Sequence, residues 1–440
     1  MPDIARASAF SRVIHLASQR PVHEAFQWLH LQERRIMDWQ IALVEVAAPP
    51  FQEHARAEWL CERFRELGLQ GVEIDASGNA LGYSPPNLAS PQRDAGCILI
   101  SAHIDTIFPP GPAIRAEREG HRLKAPGACD NGAGLAGLLA IAATLKTIRE
   151  SAGVEIGRGI LFAGNVGEEG DGDLRGIRHL YQQPPWRGRI AANLVLDGAG
   201  HEIAVTQALG SRRFLITVSA PGGHSWTDAG LPNPIVLLSE VICRLGEIKL
   251  SESPRTTLNV GTIEGGTSVN SIPESASARL DFRSTDPEQL IRLEVELHRA
   301  VEDVVQAANR EFARSNGRRT STRPTTRPAA ANPSLVRFSI RKIGDRPAAS
   351  LAEDARILEL LRAVDRHLGI RTEIRTASTD ANIPLSLGID ALSIGAGGDG
   401  GGVHTYSEWY DSRDREIGLR RVLLLLLALA ENPAISLAPP

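Results

Sequence analysis

The chain has 440 residues, 42% hydrophobic and 23% charged, with a net charge of −4 and a pI near 6.3. That length holds two or three domains with a real core. No basic field is present to hold a phosphate backbone, which excludes nucleic-acid binding, and the longest apolar run, VLLLLLALA at 422–430, is too short to span a bilayer.

Four scattered cysteines, Cys61, Cys97, Cys129 and Cys243, form no CxxC pair and read as reduced thiols. The N-terminal stretch has no continuous apolar segment, so a cytoplasmic location is expected. In chain order, residues 23–70 read as helical; EHARAEWLCERFRELGL carries apolar positions at helical spacing. GVEID and ALGY, separated by the turn composition ASGN, predict a strand pair. CILISAHID (97–105) reads as a buried strand, and its His103 and Asp105, two apart, share one face. CDNGAGLAGLLAIAATLKTI (129–148) predicts a helix with Asp130 as its N-cap. GRGILFAGNVGEEG (157–170) and AANLVLDGAG (191–200) are two further buried strands. Strands alternating with helices predict an α/β sheet flanked by helices.

Near residue 210 the pattern changes. RRFLITVS, TTLNVGTIEGG and SASARLDFRS alternate apolar and polar positions, with helices predicted over 233–248 and 287–315. This is α+β order. SNGRRTSTRPTTRPAAANPS (315–334) reads as a polar loop whose arginines form a solvated charge run, and SLVRFSIRKIGD reads as a last strand. From about 350 the α/β pattern resumes. The expected division is 1–209, an inserted domain over 210–341, and 342–440.

His103 and Asp105, Asp130, Glu168 and Glu169, Asp197, and His404 in GGGVHTYSEWYD all fall at strand C-terminal ends or a helix N-terminus of the α/β part. That edge is where sites form in open α/β sheets. Singly, each has a bland reading: a structural histidine, a helix cap, a solvated Glu pair. Together, two histidines and several carboxylates suit zinc, cobalt or manganese. The residues alone leave open which of Glu168 and Glu169 would ligate. GAGGDGGG lacks the ending of a phosphate-binding loop and reads as backbone freed to approach a substrate.

HID, GACDNGAGLAG, NVGEEG, VLDG and GGVHTYSEW together resemble, over nearly the whole chain, the di-zinc metallopeptidase family of aminoacylases, glutamate carboxypeptidase and peptidase T. The tail from STDANIPLSLG onward is most similar to the peptidase T-like di- and tripeptidase branch. The resemblance implies a zinc-exopeptidase type of fold with an inserted lid or dimerisation domain, and two metals about 3–4 Å apart. It implies that Asp130 bridges them, with His103 and Asp197 on one and Glu169 and His404 on the other. Asp105 would fix the tautomer of His103, Glu168 would be the general base, and the Asp130–Asn131 peptide would be cis. In the inserted domain it implies that His224, in PGGHSW, is an oxyanion donor reaching a neighbouring subunit, hence a homodimer. It further implies that Asn270 lies near the substrate and that Arg283 grips a substrate carboxylate. Thr379 is given a pocket role, against a capped turn as the plainer reading. Glu408 would only orient its loop.

The expected activity is hydrolysis of amide bonds in short peptides, as a dipeptidase or tripeptide aminopeptidase. The rivals are an N-acyl amino-acid deacylase of the same mechanism, a carbamoyl-amide hydrolase, and a non-catalytic metal-binding scaffold.

Overall fold

The structure, a computed structural model, describes residues 8–87, 96–109, 114–151, 154–318 and 335–431. It divides into two compact units: Met1–Ala208 with Ala349–Pro440, and Leu209–Ala348.

The first unit is built on a nine-stranded mixed sheet. Its centre is four mutually parallel strands in the order Gly159–Asn165, Cys97–His103, Ile190–Leu196 and Asp390–Ile394, with antiparallel pairs at the flanks. The Cys97–His103 strand is buried along its whole length. Its side chains alternate: Ile98, Ile100 and Ala102 enter one apolar cluster with the helices Gly132–Glu150, Arg356–Leu368 and Arg415–Ala430. Cys97 and Leu99 enter the opposite cluster with the helix Arg175–Gln182. Two covered faces explain the continuous apolar runs. The helix Gly132–Glu150 is long and apolar enough to cross a membrane, yet it is a core element, buried at most positions. Parallel pairing aligns His103 with Asn165, so the C-terminal ends of these strands share one edge.

The second unit is a four-stranded antiparallel sheet in the order Thr256–Gly265, Ser275–Ser284, Gly210–Ser219, Arg337–Arg346. Phe214, Ile216, Val218, Ala278, Leu280 and Phe282 pack with the helices Pro234–Gly246 and Pro287–Arg318. The return to the first unit comes at Ala349, later than the expected 342, because Arg337–Arg346 stays paired with Gly210–Ser219 up to Arg346–Ser211. The long helix runs to Arg318, past its expected end at 315; the remainder of the Arg/Thr/Pro stretch lies outside the described residues.

Candidate metal centre

Most ligand candidates sit where a strand ends. His103 closes the Cys97–His103 strand, Glu168 and Glu169 follow Gly159–Asn165, and Asp197 follows Ile190–Leu196. His404 comes from a turn after Asp390–Ile394 and holds a left-handed φ of 66°, which a side chain with a Cβ adopts only where its surroundings enforce it. Asp130 precedes the helix Gly132–Glu150, across a cis Asp130–Asn131 peptide.

The carboxylate of Asp130 is divided between two donor groups. Its Oδ1 lies 3.0 Å from His103 Nε2, and Asp197 Oδ1 is 3.8 Å from that same nitrogen. Its Oδ2 lies 3.1 Å from His404 Nε2, which is also 3.0 Å from Glu169 Oε1. Two compact donor sets result, His103–Asp130–Asp197 and Asp130–Glu169–His404, with Asp130 common to both. Glu168, buried, offers an oxygen to a third grouping with His103 and Glu169.

Asp130 is not the N-cap of its helix; Asn131 is, accepting from the Gly134 N–H at 3.1 Å. The same Oδ1 accepts from the Gly198 N–H at 3.0 Å, and Asn131 Nδ2 donates to the Leu196 carbonyl at 2.9 Å. One amide side chain therefore joins the start of the helix to the turn that carries Asp197, leaving Asp130 free for the site. Glu408 does more than order its own loop. Its buried carboxylate accepts the N–H groups of Gly127 (2.9 Å), Cys129 (2.7 Å) and Asp130 (2.8 Å).

Asp105 also departs from expectation. His103 Nδ1 lies 3.1 Å from the Asp105 carbonyl and 3.7 Å from its carboxylate. The carboxylate instead accepts from the backbone N–H groups of Glu168 (3.0 Å) and Glu169 (2.8 Å). Behind it, fully buried Arg56 donates to the carbonyls of Val46 and Ile104; burial lowers its pKa to about 10, with Asp105 opposing. Burial likewise raises Asp380 to about 7, against the charge of His103 and the hydrogen bond from Asn165 Nδ2 at 2.7 Å.

Burial works against a charged His103 ring, but the carboxylates of Asp105, Asp130 and Asp197 outweigh it and raise its pKa well above the usual value. The hydrogen bond to Asp130 leads the rise of His404 to about 9. Asp130 is desolvated too, yet both histidines hold its pKa below the carboxylate range, while burial pushes Glu169 up. Several carboxylates thus converge on two rings that turn cationic by taking up protons. Such a donor set fits two divalent ions.

Thr379 is a turn residue: its hydroxyl accepts from the Ala381 N–H (3.2 Å) and its own N–H donates to Asn382 Oδ1 (2.9 Å). The glycine run serves packing within the protein. A Cβ on Gly397, at φ 82°, would come within 2.2 Å of the Arg415 carbonyl, and one on Gly400 within 2.5 Å of Cys129 Sγ.

In the second unit, His224 and Asn270 are neighbours on the exposed ribbon formed by Gly223–His224 and Ser271–Ile272. The Ser225 N–H donates to the Asn270 carbonyl. Arg283 does not join them. It pairs with Asp281 at 2.6 Å, eight residues along its strand from Ser275, roughly 27 Å away at the rise of an antiparallel strand.

Comparison with known proteins bears on this arrangement. The profile of a peptidase dimerisation domain (M20) matches residues 207–309, and that of peptidase family M28 matches residues 87–216. Over these two segments the chain is similar to M20 and M28 metallopeptidases. Succinyl-diaminopimelate desuccinylase of Corynebacterium glutamicum is 28% identical over 275 residues, 60% of this chain and 68% of that protein. The M20 fold recurs in aminopeptidase PepT from Bacillus cereus, with a TM-score of 0.67 and 18% identity over 91% of this chain and 99% of that one. It recurs also in YXEP of Bacillus subtilis, described as a dinuclear metal-binding M20 peptidase, with a TM-score of 0.58 and 15% identity over 92% and 99% of the two chains.

Proposed function

We propose that this protein hydrolyses amide bonds in short peptides, as a dipeptidase or tripeptide aminopeptidase, with two divalent cations and Glu168 as general base. The observation that carries the reading is the division of Asp130 between two donor sets with Glu168 beside them. Zinc suits these nitrogen and oxygen donors, with cobalt or manganese as substitutes. The pair of ions, when bound, supplies Lewis acidity and a water of lowered pKa. His103 and Asp197 would hold one ion, Glu169 and His404 the other, and Asp130 both. Glu168 accepts the proton of the attacking water and passes it to the leaving nitrogen. Asp105 fixes the backbone of both glutamates, so base and ligand keep their spacing.

His224 and Asn270 would meet the substrate from the second unit, His224 as an oxyanion donor in a homodimer. The open edge strand Thr256–Gly265, with exposed Ile263, and exposed Trp226 and Val269 close to the ribbon support pairing of two such units. Arg283 is kept only as a residue that a substrate carboxylate would have to take from Asp281. Four free cysteines support the cytoplasm as the location.

The similarity to a desuccinylase favours a second reading, deacylation of N-acyl amino acids by the same residues. The test is a mass-spectrometric screen of zinc-, cobalt- and manganese-loaded protein on dipeptides, tripeptides and N-acyl amino acids, with Glu168→Ala as the blank. Cleavage confined to free-amine peptides supports the peptidase. Cleavage of acylated amino acids transfers the protein to the deacylases. No turnover with two metals bound defeats both.

A further inference from the structure

The loops that carry the two histidines also carry an apolar lip. Ile107 and Phe108 follow Asp105 on one loop; Val403 and Tyr406 flank His404 on the other. The rings of Phe108 and Tyr406 meet at 5.2 Å between centroids, tilted by 48°. Phe108 is buried, but Tyr406 is 73% exposed, Val403 41% and Ile107 38%. The turn under Tyr406 is tied down: the Thr405 hydroxyl donates to the Gly402 carbonyl at 2.6 Å and pairs with Ser407 Oγ at 2.9 Å, while the Glu408 N–H donates to the Thr405 carbonyl. Two residues of chain reach at most about 7 Å, so Tyr406 stands within one substrate residue's span of His404. An aromatic held out to solvent beside a charged centre forgoes burial that contact with an apolar group would recover.

We propose that Tyr406, backed by buried Phe108 and flanked by Ile107 and Val403, forms the wall of a specificity subsite. It selects amide substrates whose residue beside the scissile bond carries a large aliphatic or aromatic side chain. The inference rests on the amide hydrolysis proposed above and names its substrate class. Glycine at that position leaves the wall in water, and charged side chains meet no partner on it.

The test separates binding from turnover. Glycine, leucine, phenylalanine, lysine and glutamate hydroxamates are titrated calorimetrically into the zinc-loaded protein, whose zinc content is measured in every variant. Leucine and phenylalanine hydroxamates should bind at least about tenfold tighter than the glycine compound, the scale on which apolar pockets discriminate. Tyr406→Ala should erase most of that ratio while Tyr406→Phe keeps it. Ile107→Ser, on the other loop, should reduce the ratio independently should the tyrosine variants lose zinc. Equal binding of all five to the wild type, a preference for the charged compounds, or an unchanged ratio in both Tyr406→Ala and Ile107→Ser overturns the subsite. Ratios that behave as expected in a protein with no amide turnover would defeat the proposed reaction and leave the subsite standing.

Discussion

Asp105 serves the centre with two different groups, its carbonyl toward His103 and its carboxylate on the amides of Glu168 and Glu169. The base is therefore held by backbone, and changing its side chain should leave the ligands in place. Glu168→Ala is expected to keep two metals per chain by elemental analysis and to lose about 10²–10⁴-fold in kcat; retention of most activity would remove Glu168 from the role. The histidines give a pH signature. His404 in the metal-free protein has its pKa raised to about 9 from 6.5, so its charge stabilises the fold fully below pH 6.5, and that contribution fades as pH rises toward 9. His103 shifts in the same direction. Metal needs both rings neutral, so metal binding strengthens over the same window and releases protons. Thermal melts should show the metal-free Tm falling from pH 6.5 to 9 while the gap to the zinc-loaded Tm widens; a flat metal-free profile contradicts the assignment. Charged residues ending apolar strands draw the eye to His103, Glu168, Glu169 and Asp197 in the sequence, while the proposed division into ligands and base came from the family resemblance. Glu408 and Asn131 were not legible there, since both bind backbone amides and carbonyls, which any sequence supplies.

Among elements, the helix Gly132–Glu150 depends on Asn131, which caps it and also fastens the turn after Leu196. Asn131→Ala removes a cap worth about 0.5–2 kcal/mol and strands buried backbone groups at about 1–3 kcal/mol each. Urea unfolding should report a loss of roughly 2–4 kcal/mol, and zinc should leave the variant more readily, because Asp130 and Asp197 lose a shared anchor. A loss under 1 kcal/mol would mean that the helix start is held by other contacts. The strands were legible from their unbroken apolar runs. The cap was misplaced by one residue because Asp and Asn are equally good caps by type; only the pull of two histidines on Asp130 separates them. A glycine reports that something comes close; for Gly397 and Gly400 the close protein neighbours are Arg415 and Cys129.

For the whole molecule, an interrupted first unit and an inserted second one were visible in the switch from βα alternation to α+β order near residue 210. The return falls at Ala349 because Arg337–Arg346 continues its pairing with Gly210–Ser219 past residue 341, across a register shift between Lys342 and Gly344. If His224 acts on a partner's centre, mixing His224→Ala with Glu168→Ala chains restores activity. Random exchange into symmetric dimers should yield about a quarter of wild-type turnover, measured after dissociation and reassembly. Absence of recovery, with mixed dimers demonstrated by mass, places His224 elsewhere. His224→Ala alone should retain metal and lose about 10²–10³-fold in kcat.

The division of Asp130 between its two histidines sets an order of events during synthesis. His103, Asp130 and Asp197 leave the ribosome together, whereas His404 and Glu408 emerge about two hundred residues later, after the whole inserted unit. A nascent chain thus holds the donors for one ion long before it can hold the second. On the proposed reading, a half-built chain would hold one donor set without the other, and the second would be complete only once the last segment of the fold has been delivered.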